Sequence, residues 1–131
     1  MSNSDRAIAA NKSMPRDPTD REQLREVWRM AAMASVLADD AYHRAREGRQ
    51  IFLDEIVGEL MDANRDLKLA AAERLARTSD AYKDYVTTMH DLRRRSDEMK
   101  ITAADADRKY WENVSHEANT RAEMRMTGAA R

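Results

Sequence analysis

From residue 24 onward the apolar side chains fall into ladders whose steps alternate between three and four. This spacing keeps one stripe of a helix turned toward a partner helix. The first ladder is Leu24, Trp28, Ala31, Ser35, Ala38, Tyr42 and Ala45, widened by Val27, Ala34 and Ala41 into a small-residue face that permits close helix approach. Ahead of it, Thr19-Asp20-Arg21-Glu22 reads as a capping box, in which the Thr19 hydroxyl and the Glu22 carboxylate each accept a backbone amide at the helix start. Gly48 interrupts, and the apolar positions beyond it run Phe52, Ile56, Leu60, Ala63 and Leu67, closer to an eleven-residue period. Two outcomes fit this shift: the helix ends at Gly48 with a left-handed cap, or it continues with a local adjustment. Gly58, inside a helix, costs about 1 kcal/mol relative to alanine.

The strictest ladder is Ala71, Leu75, Thr78, Tyr82, Tyr85, Met89, Leu92, Ser96 and Met99, flanked by the acid-first pairs Glu73/Arg77 and Asp91/Arg95. It predicts a helix over residues 66–100, roughly 50 Å long at the α-helical rise, which suits a rod or a hairpin. Ile101-Thr102 is the predicted boundary, with Thr102 and Asp105 as a second, weaker capping signal. A last helix then carries Ala104, Trp111, Val114 and Ala118, supported by Asp105/Lys109 and Glu117/Arg121 and closed by Gly128. Residues 1–18 lack any period and hold both prolines, Pro15 and Pro18, so they are expected to be a disordered tail. The expected organisation is a single helical domain over 19–127 and a short C-terminal tail over 128–131. The fold class is all-α: two or three long amphipathic helices in an antiparallel hairpin or open bundle, coiled-coil-like and oligomeric.

Composition bears on that oligomer. Of 131 residues, 36% are charged and only 5% are aromatic, so a lone protomer has little apolar area to bury. Self-association would supply the missing burial, with Leu75, Tyr82, Tyr85, Met89, Leu92, Trp28 and Trp111 as the expected interface. Tyr110 and Trp111 are adjacent and cannot both face inward, and Met124 and Met126 suit adaptable interface packing. The chain has no cysteine, which excludes disulfides and thiolate metal sites. Ala7-Ile8-Ala9-Ala10 is too short for a signal peptide and no segment reaches membrane-spanning length, so the expected location is the cytoplasm, with no membrane partner.

Candidate chemistry is sparse. His116-Glu117 begins like a zincin motif, but Thr120 stands where the second histidine is needed. Asp40 and His43 are three apart, like half of a di-metal bundle site, without the second pair and further carboxylates such a site needs. No nucleophile elbow and no glycine-rich phosphate loop is present. We therefore expect no enzyme activity, no metal, no cofactor and no small-molecule substrate. The balance of 23 Lys+Arg against 24 Asp+Glu gives a net charge of −1, so any nucleic-acid contact must come from a local patch. Arg93-Arg94-Arg95 with Lys100 is one such cluster, and Arg74, Arg77 and Lys83 share its predicted helix. Residues 48–65 are instead acidic, with Asp54, Glu55, Glu59 and Asp62 against Arg49 and Arg65.

The stretches Arg74-Leu75-Ala76-Arg77, Tyr82-Lys83-Asp84-Tyr85, Met99-Lys100-Ile101, Tyr110-Trp111 and Arg121-Ala122-Glu123-Met124-Arg125-Met126 resemble small helical phage proteins encoded beside recombination functions. The plan is similar to the UvsY-like recombination mediators, and the resemblance covers residues 66–126. It implies a helical protein that assembles into rings and binds single-stranded DNA while helping a recombinase, in a host cytoplasm, with Arg74 and Arg77 nominated for phosphate contact. The alternative expectation is a helical adaptor, or a phage-encoded inhibitor of a host protein, that uses its acidic stretch against a basic surface.

Overall fold

The computed structural model describes residues 20–129 as three α-helices, with no strand among the described residues: α1, Arg21–Ala63; α2, Leu69–Thr78; and α3, Asp80–Ala129. The expected tail over 1–18 and the Thr19 half of the capping box lie outside the described residues. Asp20 takes up part of the capping role, with its Oδ1 accepting the Glu22 amide at 3.4 Å and its carbonyl accepting the Leu24 amide at 3.0 Å.

The chain divides into two compact units, one of Met33–Ile101 and one in which the described residues 20–32 and 102–129 come together. In the 33–101 unit, Asp39 meets Ser96 and Lys100, Ala45 meets Tyr85, and Arg49 meets Tyr82, so residue numbers fall along α3 as they rise along α1. The core consists of Leu53, Val57, Ala72, Ala76 and Tyr82, with Phe52, Ile56, Leu60, Met61, Leu67 and Val86 packed against it. The phase shift beyond Gly48 is thereby explained. At this end α1 meets both α2 and α3, so two adjacent rows, 52/56/60 and 53/57, turn inward, and the buried face widens without a helix break.

Gly48 lies inside α1, and no described glycine has a positive φ. Its role is close approach: a Cβ there would sit 3.0 Å from the Tyr85 hydroxyl. That hydroxyl donates to the Ala45 carbonyl at 2.5 Å, and the Tyr85 ring stacks on Phe52 at 4.6 Å between centroids. Each contact is worth about 1 kcal/mol, enough to offset the helix-propensity cost of the glycine.

The single helix expected over 66–100 is instead two. Asn64 closes the α1 turn, its carbonyl accepting the Leu67 amide and its side chain the Asp66 amide. Ser79 then breaks the path with an extended backbone, φ −67 and ψ 149. Its amide and its hydroxyl both donate to the Ala76 carbonyl, at 3.2 and 2.6 Å, and the hydroxyl accepts the Tyr82 amide at 3.3 Å. One serine thus ends α2 and starts α3. The break resets the phase, so the row facing inward on α2 is Ala72 and Ala76, both at 0% exposure, and Leu75 is exposed. From Tyr82 the expected ladder does face inward: Tyr82, Met89 and Ser96 are buried, and Tyr85, Leu92 and Met99 are half-buried.

In the other unit Trp28 stacks on Tyr110 at 5.5 Å, Leu24 and Ala106 are buried, and Arg21 lies 3.9 Å from Glu117. The expected boundary at Ile101-Thr102 is absent, because α3 runs through it. With no restart there, the three-four phase set at Tyr82 carries on, and the inward row is Ala103, Ala106, Tyr110, Asn113 and Glu117. Ala104, Trp111 and Ala118 face outward, and Trp111 donates its indole N–H to Asp107 at 3.1 Å. Gly128 is within the helix rather than closing it. Asp105/Lys109 and Glu117/Arg121 pair as their spacing implies, at 3.2 and 3.6 Å. Asp91 pairs with Arg94 rather than Arg95, and Glu73/Arg77 form no ion pair.

Candidate functional site

A groove of about 550 Å³ lies between α1 and α3 in the 33–101 unit. Seam residues Tyr42, Met89 and Ser96 form its floor, and polar side chains at the edge of the seam form its walls. From α1 come Asp39, His43, Arg46 and Arg49, and from α3 come His90, Arg93, Asp97 and Lys100. The helical period explains the grouping. On α1 residues 39, 43 and 46 stand one turn apart along a row beside the buried stripe, and 90, 93, 97 and 100 form the matching row on α3. Four cations against two carboxylates leave the lining at +2, with two imidazoles besides.

These groups are held differently. Asp39 is the hub: its Oδ1 accepts Ser96 Oγ at 3.2 Å and Lys100 Nζ at 3.0 Å, and its Oδ2 lies 3.2 Å from His43 Nε2. The Lys100 hydrogen bond is the main cause that holds the Asp39 carboxyl below its usual range. Partial burial pushes the other way, and the Ser96 bond and the charges of Lys100 and His43 add to the lowering. Arg49 donates from Nε to the Tyr82 hydroxyl at 2.8 Å, which fixes its guanidinium at one end of the groove. Among the described residues Arg46, His90 and Arg93 make no hydrogen bond or ion pair with another side chain. Two arginines with uncommitted donor forks in a concave site suit an anion with several acceptor oxygens, such as a phosphate.

Of the basic residues picked out in the sequence, Arg93 and Lys100 meet in this groove. Arg94 and Arg95 line a shallow depression with Asp91, Glu98 and Met99, where acids and bases balance and Arg94 is paired with Asp91 at 3.3 Å. Arg74 borders a mostly apolar dimple with Ala71, Leu75 and Thr78, while Arg77 and Lys83 are exposed and outside the groove. Sequence reasoning missed Arg46 and His90 as site residues, and met His43 and Arg49 only in other settings, as half of a metal-like pair and within the acidic stretch. The signal was the matching three-four spacing of basic residues on the two rows, which becomes a site only once the two helices are known to face each other. Asp40, set beside His43 as a metal-like pair, binds Arg44 instead at 3.0 Å, and no cluster of three or more metal-ligating side chains exists among the described residues.

The expected interface residues divide as well. Tyr82 and Met89 are buried within their own unit and Tyr85 and Leu92 half-buried there, Trp28 stacks on Tyr110, and Leu75 and Trp111 stand exposed at 51% and 54%. From Tyr82 to Met99 the ladder is therefore covered by the chain's own helices, whereas Leu75 and Trp111 are not. Among the described residues no helix is long and apolar enough to cross a membrane. No family model matches the chain, and neither a curated protein nor a solved structure matches it.

Proposed function

We propose that this chain is a non-enzymatic, phage-type accessory protein of DNA recombination, mediator-like, which holds single-stranded DNA against the groove between α1 and α3. The reading combines the resemblance of residues 66–126 to recombination mediators with one observation, the convergence of Arg46, Arg49, Arg93 and Lys100 on a single concave site of positive balance. Arg46 and Arg93 contact successive phosphates, and Arg49 fixes one end of the path. In this reading α1 and α3 form an antiparallel hairpin, and several hairpins assemble, so that weak grooves act together at high effective concentration. The assembly uses faces outside the intrachain seam, where Leu75 and Trp111 are exposed.

The test is a fluorescence anisotropy titration with a labelled oligo-dT across a salt series, comparing the native chain with the Arg46→Ala/Arg93→Ala variant. With about 0.7 counterions released per phosphate on a single strand, contacts from the three arginines give a log–log salt slope of about −2, and the double variant loses about two-thirds of it. A native chain that binds without salt dependence, or a double variant with unchanged affinity, removes the DNA reading. A protein-binding adaptor or inhibitor is the second reading. It is favoured by Met33, Val36 and Leu37, exposed at 58, 65 and 64% on α1, and by the exposed carboxylates of Asp54, Glu55, Glu59 and Asp62. A stoichiometric protein partner captured without retention of DNA would support it.

A further inference from the structure

Three donors from two helices converge on one acceptor in the groove: Lys100 and Ser96 on Asp39 Oδ1, and His43 beside Oδ2. A carboxylate offers two anionic oxygens on one centre, as the two non-bridging oxygens of a phosphodiester do. The Asp39 side chain is about one-third exposed, at 34%, so it lies at the groove wall within reach of an incoming ligand. We infer that Asp39 is an internal competitor of the groove's phosphodiester ligand, occupying Lys100 and His43 and so setting how tightly the groove binds. This inference rests on the reading of the groove as a phosphate-backbone site.

Two consequences follow from charge alone. A phosphate entering the groove finds Arg46 and Arg93 uncommitted, but Lys100 already neutralised. To engage Lys100 the phosphate must displace Asp39, or else lie beside a like charge. In the resting groove Lys100 therefore adds little to affinity and little to counterion release, although it stands in the basic row. Asp39 is thus a specificity-determining residue: it favours ligands with enough phosphates to compensate, namely a chain over a single anion.

Asp39→Asn separates charge from shape, because the amide oxygen can still accept from Ser96 while Lys100 is released. In the same oligo-dT titration this variant is expected to bind about fivefold more tightly, the gain from removing one like charge a few ångströms from a phosphate in a half-solvated site. Its salt slope is expected to steepen by about 0.7, one more phosphate contact. Asp39→Asn/Lys100→Ala should return to near-native affinity. Lys100→Ala alone should change affinity by less than about twofold, while Arg93→Ala alone loses about fivefold or more. This last comparison does not depend on Asp39→Asn folding. Tighter binding by Asp39→Asn together with a near-silent Lys100→Ala supports the inference. If the native chain binds with the expected salt slope but Asp39→Asn binds no better, or Lys100→Ala costs as much as Arg93→Ala, the phosphate reading stands and the competitor role falls. If neither the native chain nor Asp39→Asn binds in a salt-dependent way, the phosphate reading itself falls.

Discussion

The two units of this chain solve the same packing problem with different resources. The 33–101 unit has three helical segments and a continuous core in which Leu53, Val57, Ala72, Ala76 and Tyr82 are all buried. The other unit has segments of two helices, two buried apolar residues in Leu24 and Ala106, one Trp–Tyr stack and a long ion pair at 3.9 Å. Its last stretch, residues 121–128, is exposed throughout. A third helix therefore does more than add area. It lets α1 turn two adjacent rows inward, which a helix pair with one seam cannot use. Burial concentrates where three elements meet, and the groove is built into that same unit.

The largest effect expected from this contrast is that of cavities. Leu53→Ala should cost about 3 kcal/mol in global unfolding, as a buried leucine in a packed core does. Leu24→Ala should cost less, about 1–2 kcal/mol, because its surroundings can open locally. Hydrogen exchange distinguishes the two. Leu24→Ala should speed exchange at residues 21–32 and 103–120 and leave 82–99 unchanged, and equal loss of protection in both regions would erase the contrast. Next in size is Ser79→Ala, which removes both a helix stop and a helix start. A loss of about 1 kcal/mol in chemical denaturation is expected, and an unchanged midpoint would mean that the break at 79 is set by packing alone.

The smallest effect expected is a pH dependence. The Asp39 carboxyl is held below its ordinary value of 3.8, chiefly by Lys100. A carboxyl lowered in the folded state contributes stability that is fully present above the unfolded value and is lost as pH falls through the folded one. The melting-temperature advantage of the native chain over Asp39→Asn should therefore be flat near neutrality and shrink below about pH 4. An advantage that persists unchanged down to about pH 2 contradicts the assignment of Lys100 as the controlling partner.

Much of the fold was legible because the three-four ladder is a direct projection of helix geometry. Leu24 to Ala45 and Tyr82 to Met99 face inward as the spacing implies. The misses have local causes. Ser79 was read as one more position in a helix because no proline or glycine marks the break, yet its hydroxyl and extended backbone serve both helix ends. Thr102 carries a capping signal that went unused, since the inward row continues through it and packing overrides propensity. Gly48 was noticed as a possible stop, but its use depends on Tyr85, some forty positions away, which no local pattern reveals. The candidate site was half legible. Arg93 and Lys100 stood out in a basic cluster, with His90 one turn before Arg93 on the same helix, whereas His43, Arg46 and Arg49 lie across from them on α1 and join them only through the pairing of the two helices.

The most direct measurement is an amide chemical-shift map of the full chain titrated with an unlabelled oligo-dT at low salt. Shifts are expected to cluster at residues 39–49 and 90–100, on the two rows that line the groove, with the amides around Trp28, Tyr110 and Trp111 unmoved. Shifts centred on Arg74 and Arg77 or on Trp111, or no shifts at saturating oligonucleotide, would contradict the groove as the binding site.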